Sequence, residues 1–203
     1  MITHVMFALM LGTSFPSEVE RVMCIDQPGG PGIVSSTHAS AAYFPSGVVS
    51  ERNCLWYSRE LARHFESSLL TGETPTLRFT WLRSFHYGVV FRVEFQEEGQ
   101  PAILIWKSAD RDGNFDPRSN NQTHEIFLSQ EDTRTIFTLI HESAVCAPAS
   151  EPMPGLDGAT WVFEYVDSEQ YCFHDEWQPR LGPVRRLGQL VIERYRETEN
   201  RAE

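Results

Sequence analysis

Glu164 and Asp175 are the residues whose spacing points most directly to chemistry. They lie in Gly155-Leu-Asp-Gly-Ala-Thr-Trp-Val-Phe-Glu164 and Tyr171-Cys-Phe-His-Asp-Glu-Trp177, a run that reads as turn, strand, short turn and strand. With Ser168 and Glu169 at the tip of the hairpin, Glu164 faces Phe173 and Val162 faces Asp175. The two carboxylates then share one face on a diagonal of about 7–8 Å between backbones. Paired carboxylates at that distance can do general acid/base work or hold a metal. The competing reading, which the residues favour, is two surface carboxylates or two partners for nearby cations.

Arg83 and Lys107 supply such cations. Arg83 follows Leu77, Phe79 and Trp81 on one face of a strand pattern, and Lys107 ends the run Ala102-Ile-Leu-Ile-Trp106. A cation on an apolar face needs a partner, and Glu164, Asp157 or Asp175 can provide it. A structural ion pair joining two halves of a sheet is the simpler reading; a polar pocket is the sharper one. His86, just past Arg83, can join either. Asp157-Gly158 reads as a turn in which the Asp side chain bonds to backbone and Gly takes a positive φ. Cys172 and His174 share a strand face and suggest a thiol nucleophile, but no third group orients them.

The four cysteines are Cys24, Cys54, Cys146 and Cys172. None forms a CxxC pair, so a zinc knuckle or thioredoxin-type site is not indicated. Two states fit: four buried thiols, or two disulfides. For the second, Cys146 at the end of a helix suits Cys172, and Cys24 with Cys54 would staple an N-terminal arm to the first helix. Asp110-Arg-Asp-Gly-Asn-Phe-Asp116 has a calcium-loop rhythm, but Phe115 stands where Gly is required and Asn121 where Glu is required. It reads as a solvated loop, and no metal site or cofactor is assigned. The chain contains no GxSxG, GxxxxGK, GxGxxG or HExxH pattern.

The elements that must position these residues follow from periodicity. Residues 26–50 are rich in Gly, Pro and Ser and read as an arm, leaving residues 51–203 as a single domain. A first helix is expected from about Ser58 to Leu70, with Leu61, Phe65 and Leu69 on one face. Alternation then predicts strands over 77–85 and 89–95. The continuous run 102–106 predicts a third, central strand covered on both faces. Ser129-Gln-Glu-Asp132 resembles a capping box and opens a helix carrying Ile136, Leu139 and Ile140. The hairpin follows, with its turn at Asp167-Ser-Glu-Gln170. Gly182-Pro183 opens a last helix with the stripe Val184, Leu187, Val191 and Tyr195, and the charged tail 196–203 is expected to fray. The order is α-βββ-α-ββ-α. It predicts an α+β fold, a mostly antiparallel sheet of about five strands with helices on one face.

A length of 203 residues, 41% apolar residues and five Trp suffice for a core. The formal charge of −11 argues against nucleic acid. Val5–Leu11 is apolar but short for a membrane span; no basic residue precedes it, so it reads either as a degenerate signal or as an ordinary helix. A location outside the cytoplasm is the first reading, and the cytoplasm is the alternative.

Trp81-Leu-Arg-Ser-Phe-His86, Lys107, Gly155-Leu-Asp-Gly-Ala-Thr-Trp161, Glu164, Tyr171 and Asp175-Glu-Trp-Gln-Pro179 together resemble a group of small uncharacterised bacterial proteins. That group shares a pattern of the form WLRSFH…K…GLDGxxWxxE…YxxxDxWxP. The resemblance covers roughly residues 55–195 and implies no activity. Cys146 and Cys172 stand where the group tends to have an aromatic and a His, which agrees with their pairing. Two functions are therefore expected. The first is a non-enzymatic protein-interaction module, immunity-like or envelope-associated, with another protein as partner. The alternative is a small hydrolase or carbohydrate-binding enzyme built on Glu164, Asp175, Arg83 and His86, which requires one concave pocket holding all four.

Overall fold

The computed structural model describes residues 43–45, 47–71, 74–97, 99–108, 123–142, 144–146 and 157–202. Cys24, the apolar run 5–11, the Asp-rich loop 110–116 and the arm up to residue 42 lie outside the described residues. The elements run α1 (Glu51–Arg63), β1 (Thr76–Arg83), β2 (Val89–Glu94), β3 (Ile103–Ser108), β4 (Thr123–Phe127), α2 (Gln130–Glu142), β5 (Ala159–Val166), β6 (Tyr171–Trp177) and α3 (Pro183–Ala202). Short 3₁₀ turns occupy Leu69–Thr71 and Ala144–Cys146.

The fold is α+β, as the residue pattern predicts. All neighbouring strands are antiparallel, in the order β4-β3-β2-β1-β5-β6. The sheet has six strands rather than about five. The extra one, β4, has only His124 and Ile126 partly covered and alternates with exposed residues. As a thinly buried edge strand it carries a weak apolar signal. The run 102–106 is not central: β3 lies next to the β4 edge, and Ile103 and Ile105 are only half-buried.

The two faces of the sheet differ. On the first, Phe91, Phe79 and Phe163 stack across three strands at 5.4 and 4.5 Å, flanked by Trp161, Leu77, Leu104 and Trp106. Each of these side chains contributes about 1.5–3 kcal/mol by leaving water. α2 and α3 cover this face with Ile136, Leu139, Ile140, Val184, Leu187 and Val191. Ser129 caps α2, accepting from the Asp132 amide at 3.0 Å. Gly188 lets α3 approach so closely that a Cβ there would overlap the Trp161 ring. The charged end of α3 is helical as far as Ala202.

The second face is covered by α1, so the helices divide between two faces instead of sharing one. Tyr57, Leu61 and Cys54 of α1 pack with Tyr43 and Phe44 on Leu82, Val90 and Val162. α1 begins at Glu51, not near Ser58. Ser50 is its N-cap, accepting from the Asn53 amide at 3.4 Å. The helix stops at His64, and Phe65 turns out of it with a φ of 51°. The residues after the helix therefore leave the helical path, which brings Glu66 onto the sheet.

Candidate functional site

The hairpin register is the one expected: Glu164 pairs with Phe173 and Val162 with Asp175. The two carboxylates lie on the α1 face, yet each has its own partners. Glu164 is 1% exposed and faces Arg78, its register partner on β1, which is fully buried. Arg78 Nε and Nη2 donate to Glu164 Oε2 and Oε1 at 2.6 and 2.7 Å. Tyr171 donates its hydroxyl to Glu164 Oε1 at 2.7 Å. Burial opposes the charge on Arg78, but the adjacent Glu164, helped by Glu66, leaves its pKa above the ordinary value. Burial first, and then Glu164, push the Tyr171 hydroxyl up as well. Lys107 reaches Glu66 Oε1 at 2.7 Å, and Arg92 lies 3.7 Å from Glu66 Oε2. Glu66 is itself buried. Asp175 accepts from Tyr57 Oη at 2.7 Å and from Asn53 Nδ2 at 3.3 Å.

These contacts correct the expected cluster. Lys107 and Glu164 do join one ion-pair network, but through Arg78 and Glu66. Asp175 belongs to a separate contact with α1. Asp157 is an exposed turn residue whose carbonyl accepts from Gln178 Nε2 at 3.1 Å. Arg83 meets none of these carboxylates. It points along the opposite face, where its guanidinium lies 4.7 Å from the centre of the Trp81 ring and Nη2 donates to the Tyr87 carbonyl at 2.8 Å. The thiol reading of Cys172 ends with its disulfide to Cys146, so no nucleophile stands beside His174. Cys54 has no free thiol either; its expected partner, Cys24, lies outside the described residues. Among the described residues, no three His, Cys, Asp or Glu side chains are grouped to hold a metal ion.

Arg83 and His86 open instead onto an open cleft of about 530 Å³ where β1 ends and β5 begins. Three hydrogen bonds build it. The Ser84 amide donates to the Gly158 carbonyl at 2.7 Å, the Gln178 amide to the Ala159 carbonyl at 2.9 Å, and Gln178 Nε2 to Asp157. They tie the β1–β2 turn, the start of β5 and the end of β6 together. Gln178, with a φ of 46°, folds its side chain over Gly158, which has no Cβ in the way. Trp81 and Trp161, opposite each other in the β1–β5 register, form the floor. Arg83, Arg180 and Arg185 line the walls, and among the described residues the lining contains no Asp or Glu. Arg185 lies 5.5 Å from the Trp161 ring centre and donates to the Pro179 carbonyl at 3.1 Å. Arg196 approaches Trp81 at 6.0 Å. Burial pulls the Arg83 guanidinium below its ordinary pKa, Arg196 adds to that, and Tyr195 opposes it. Guanidinium on indole is an attractive pairing that also holds the arginines in place.

The residues that sequence reasoning missed are Arg78 and Glu66 in the network and Arg180 and Arg185 in the cleft. Arg78 had a signal in its strand parity, which sets it on the face opposite Leu77 and Phe79, but Glu164 was expected to pair with Arg83 on the other face. Arg180 and Arg185 had none, because only the register and the start of α3 bring them to Arg83. Comparison with known protein families and with curated proteins finds no match.

Proposed function

We propose that the protein is a non-enzymatic protein-interaction module and that the arginine–tryptophan cleft is its docking site. The observation that carries this reading is the cleft itself: three arginines and a histidine around two tryptophans, with no acid among the described lining residues. The paired-carboxylate alternative needs Glu164 and Asp175 in one open pocket with Arg83 and His86. Here Glu164 is clamped by Arg78, and both carboxylates are buried away from that cleft. The Glu164 oxygens are already engaged by the Arg78 guanidinium and the Tyr171 hydroxyl, out of reach of a substrate in the cleft. A sugar platform is also disfavoured, because Trp161 is buried and guanidinium groups lie over both rings. The Cys146–Cys172 disulfide supports a location outside the cytoplasm, where an envelope-associated or immunity-like role belongs. No helix among the described residues is long and apolar enough to cross a membrane.

The test places a photo-crosslinking amino acid at Ser84 in the cleft or at the exposed Glu193 on α3. One crosslinked partner is expected from Ser84, little from Glu193, and loss of the Ser84 product in Arg83→Ala. Equal crosslinking from both positions, or turnover on a glycan or ester panel that Glu164→Gln abolishes, would sink the reading.

A further inference from the structure

Most described cations away from the cleft are paired, although exposed Arg134 on α2 has no carboxylate partner among the described residues. Arg63, Arg78, Arg92, Lys107, Arg186 and Arg194 all form ion pairs with carboxylates. Among the described residues, no carboxylate pairs with Arg83, Arg180, Arg185 or Arg196. A chain of net charge −11 has ample acid to neutralise them, yet it leaves these four together. Arg83 also keeps a buried Nε without a hydrogen-bond partner. Such a donor is destabilising while nothing accepts from it. The rim is apolar. Phe85, beside Ser84 and His86, is 86% exposed, and Leu181, beside Arg180, is 88% exposed. Phe85 also holds a φ of 63°, so two of the three described non-glycine residues in the left-handed region, Phe85 and Gln178, adjoin or line this cleft.

We propose that the cleft receives an acidic segment of the partner protein, its carboxylates seated on Arg83, Arg180 and Arg185 and its apolar side chains on Phe85 and Leu181. The proposal rests on the reading of the cleft as a docking site and adds the chemistry of what docks. Arginine forks fit carboxylates with two hydrogen bonds each. A nucleic-acid backbone is the poorer occupant, because the negative field of the whole molecule repels extended phosphates. An acidic segment is repelled as well, but it is short and carries apolar residues that the rim can bury.

The test is a titration of the full chain with a blocked hexapeptide of alternating glutamate and phenylalanine. Its counterpart with glutamine in place of glutamate and inorganic phosphate serve as comparisons, with tryptophan fluorescence and calorimetry as readouts. The glutamate peptide is expected to bind at least about tenfold more tightly than the glutamine peptide, and to weaken as salt rises from about 0.05 M to about 0.5 M. Arg180→Glu, at an exposed position, is expected to weaken it at least about tenfold. Arg63→Glu, the same charge change far from the cleft, is expected to leave it unchanged. Equal affinity for both peptides, abolished by Arg83→Ala, would keep the docking site and overturn its acidic specificity. Phosphate binding as tightly as the glutamate peptide would overturn it too, as would the absence of any peptide binding. In that last case, cleft-specific crosslinking to a partner would still support docking.

Discussion

Arg78 and Glu164 face each other in the β1–β5 register and meet through two hydrogen bonds of 2.6 and 2.7 Å with almost no solvent contact. Neither charge has water to fall back on. Glu164→Ala is therefore expected to destabilise the fold by about 3–5 kcal/mol, leaving Arg78 buried with the Ser67 carbonyl at 2.7 Å and its nearest remaining carboxylate, Glu66, at 4.0 Å. The double change Arg78→Met with Glu164→Leu removes both charges and is expected to cost less than either single change. Urea unfolding of the three variants tests this. A double variant less stable than both singles would mean that the pair adds net stability instead of merely avoiding a buried charge.

The same pair shows what was legible in the sequence. The hairpin register followed from the strand periodicity and a short turn, so the shared face of Glu164 and Asp175 was readable. Their partners were not. Arg78 alternates with Leu77 and Phe79, the pattern of a strand with one wet face; it is buried only because α1 covers that face. The start of α1 was hidden because Ser50, its cap, ends a Gly/Pro/Ser-rich stretch that reads as linker. Phe65 and Leu69 keep the helical spacing from Leu61, yet the chain leaves the helix at His64. The cleft was illegible for another reason. Arg83, Arg180 and Arg185 come from distant parts of the chain, and no local pattern marks residues that meet only through the sheet register and the start of α3.

The Cys146–Cys172 bond ties the 3₁₀ turn after α2 to the edge strand β6, with a sequence separation of 26. The loop-closure entropy it removes from the unfolded chain corresponds to about 3.5 kcal/mol. The Cys146→Ser, Cys172→Ser variant is expected to unfold at lower urea by that order. Adding reductant to the wild type should approach the same midpoint, apart from the share due to the bond at Cys54. Non-reducing mass mapping that finds either thiol free would overturn the assignment.

Asp132 and Arg194 clamp α2 to α3, with Nε to Oδ2 at 2.9 Å and Nη2 to Oδ1 at 2.8 Å. The hydrogen bonds from Arg194 hold the Asp132 carboxyl below its usual pKa, against the opposing effect of partial burial. A depressed carboxyl pKa stabilises the fold at pH values above the unfolded value, about 4, and that contribution is lost as pH falls through the folded pKa. Asp132→Asn is thus expected to cost about 1–2 kcal/mol near neutrality. The gap to wild type should narrow only below about pH 4. Thermal unfolding across that window checks the sign; a gap that widened on acidification would contradict it.

Gly188 couples the core to the cleft. α3 touches the sheet there so closely that any Cβ would press on Trp161 and, at 3.1 Å, on Phe163. Trp161 is both a core residue and the cleft floor beneath Arg185. Helix propensity alone would make Gly188→Ala stabilising by about 1 kcal/mol. Overpacking against a rigid indole opposes that with about 1–3 kcal/mol, so a net loss is expected. The ring must then move, or α3 must shift away from β5, and either displaces Arg185 relative to Arg83. The variant should therefore lower the melting temperature and change the fluorescence of the cleft tryptophans together. Arg185→Ala, which removes the cation but leaves the helix seated, should change the fluorescence with little loss of stability. A stabilised Gly188→Ala with an unaltered spectrum would show that the helix yields without disturbing the site.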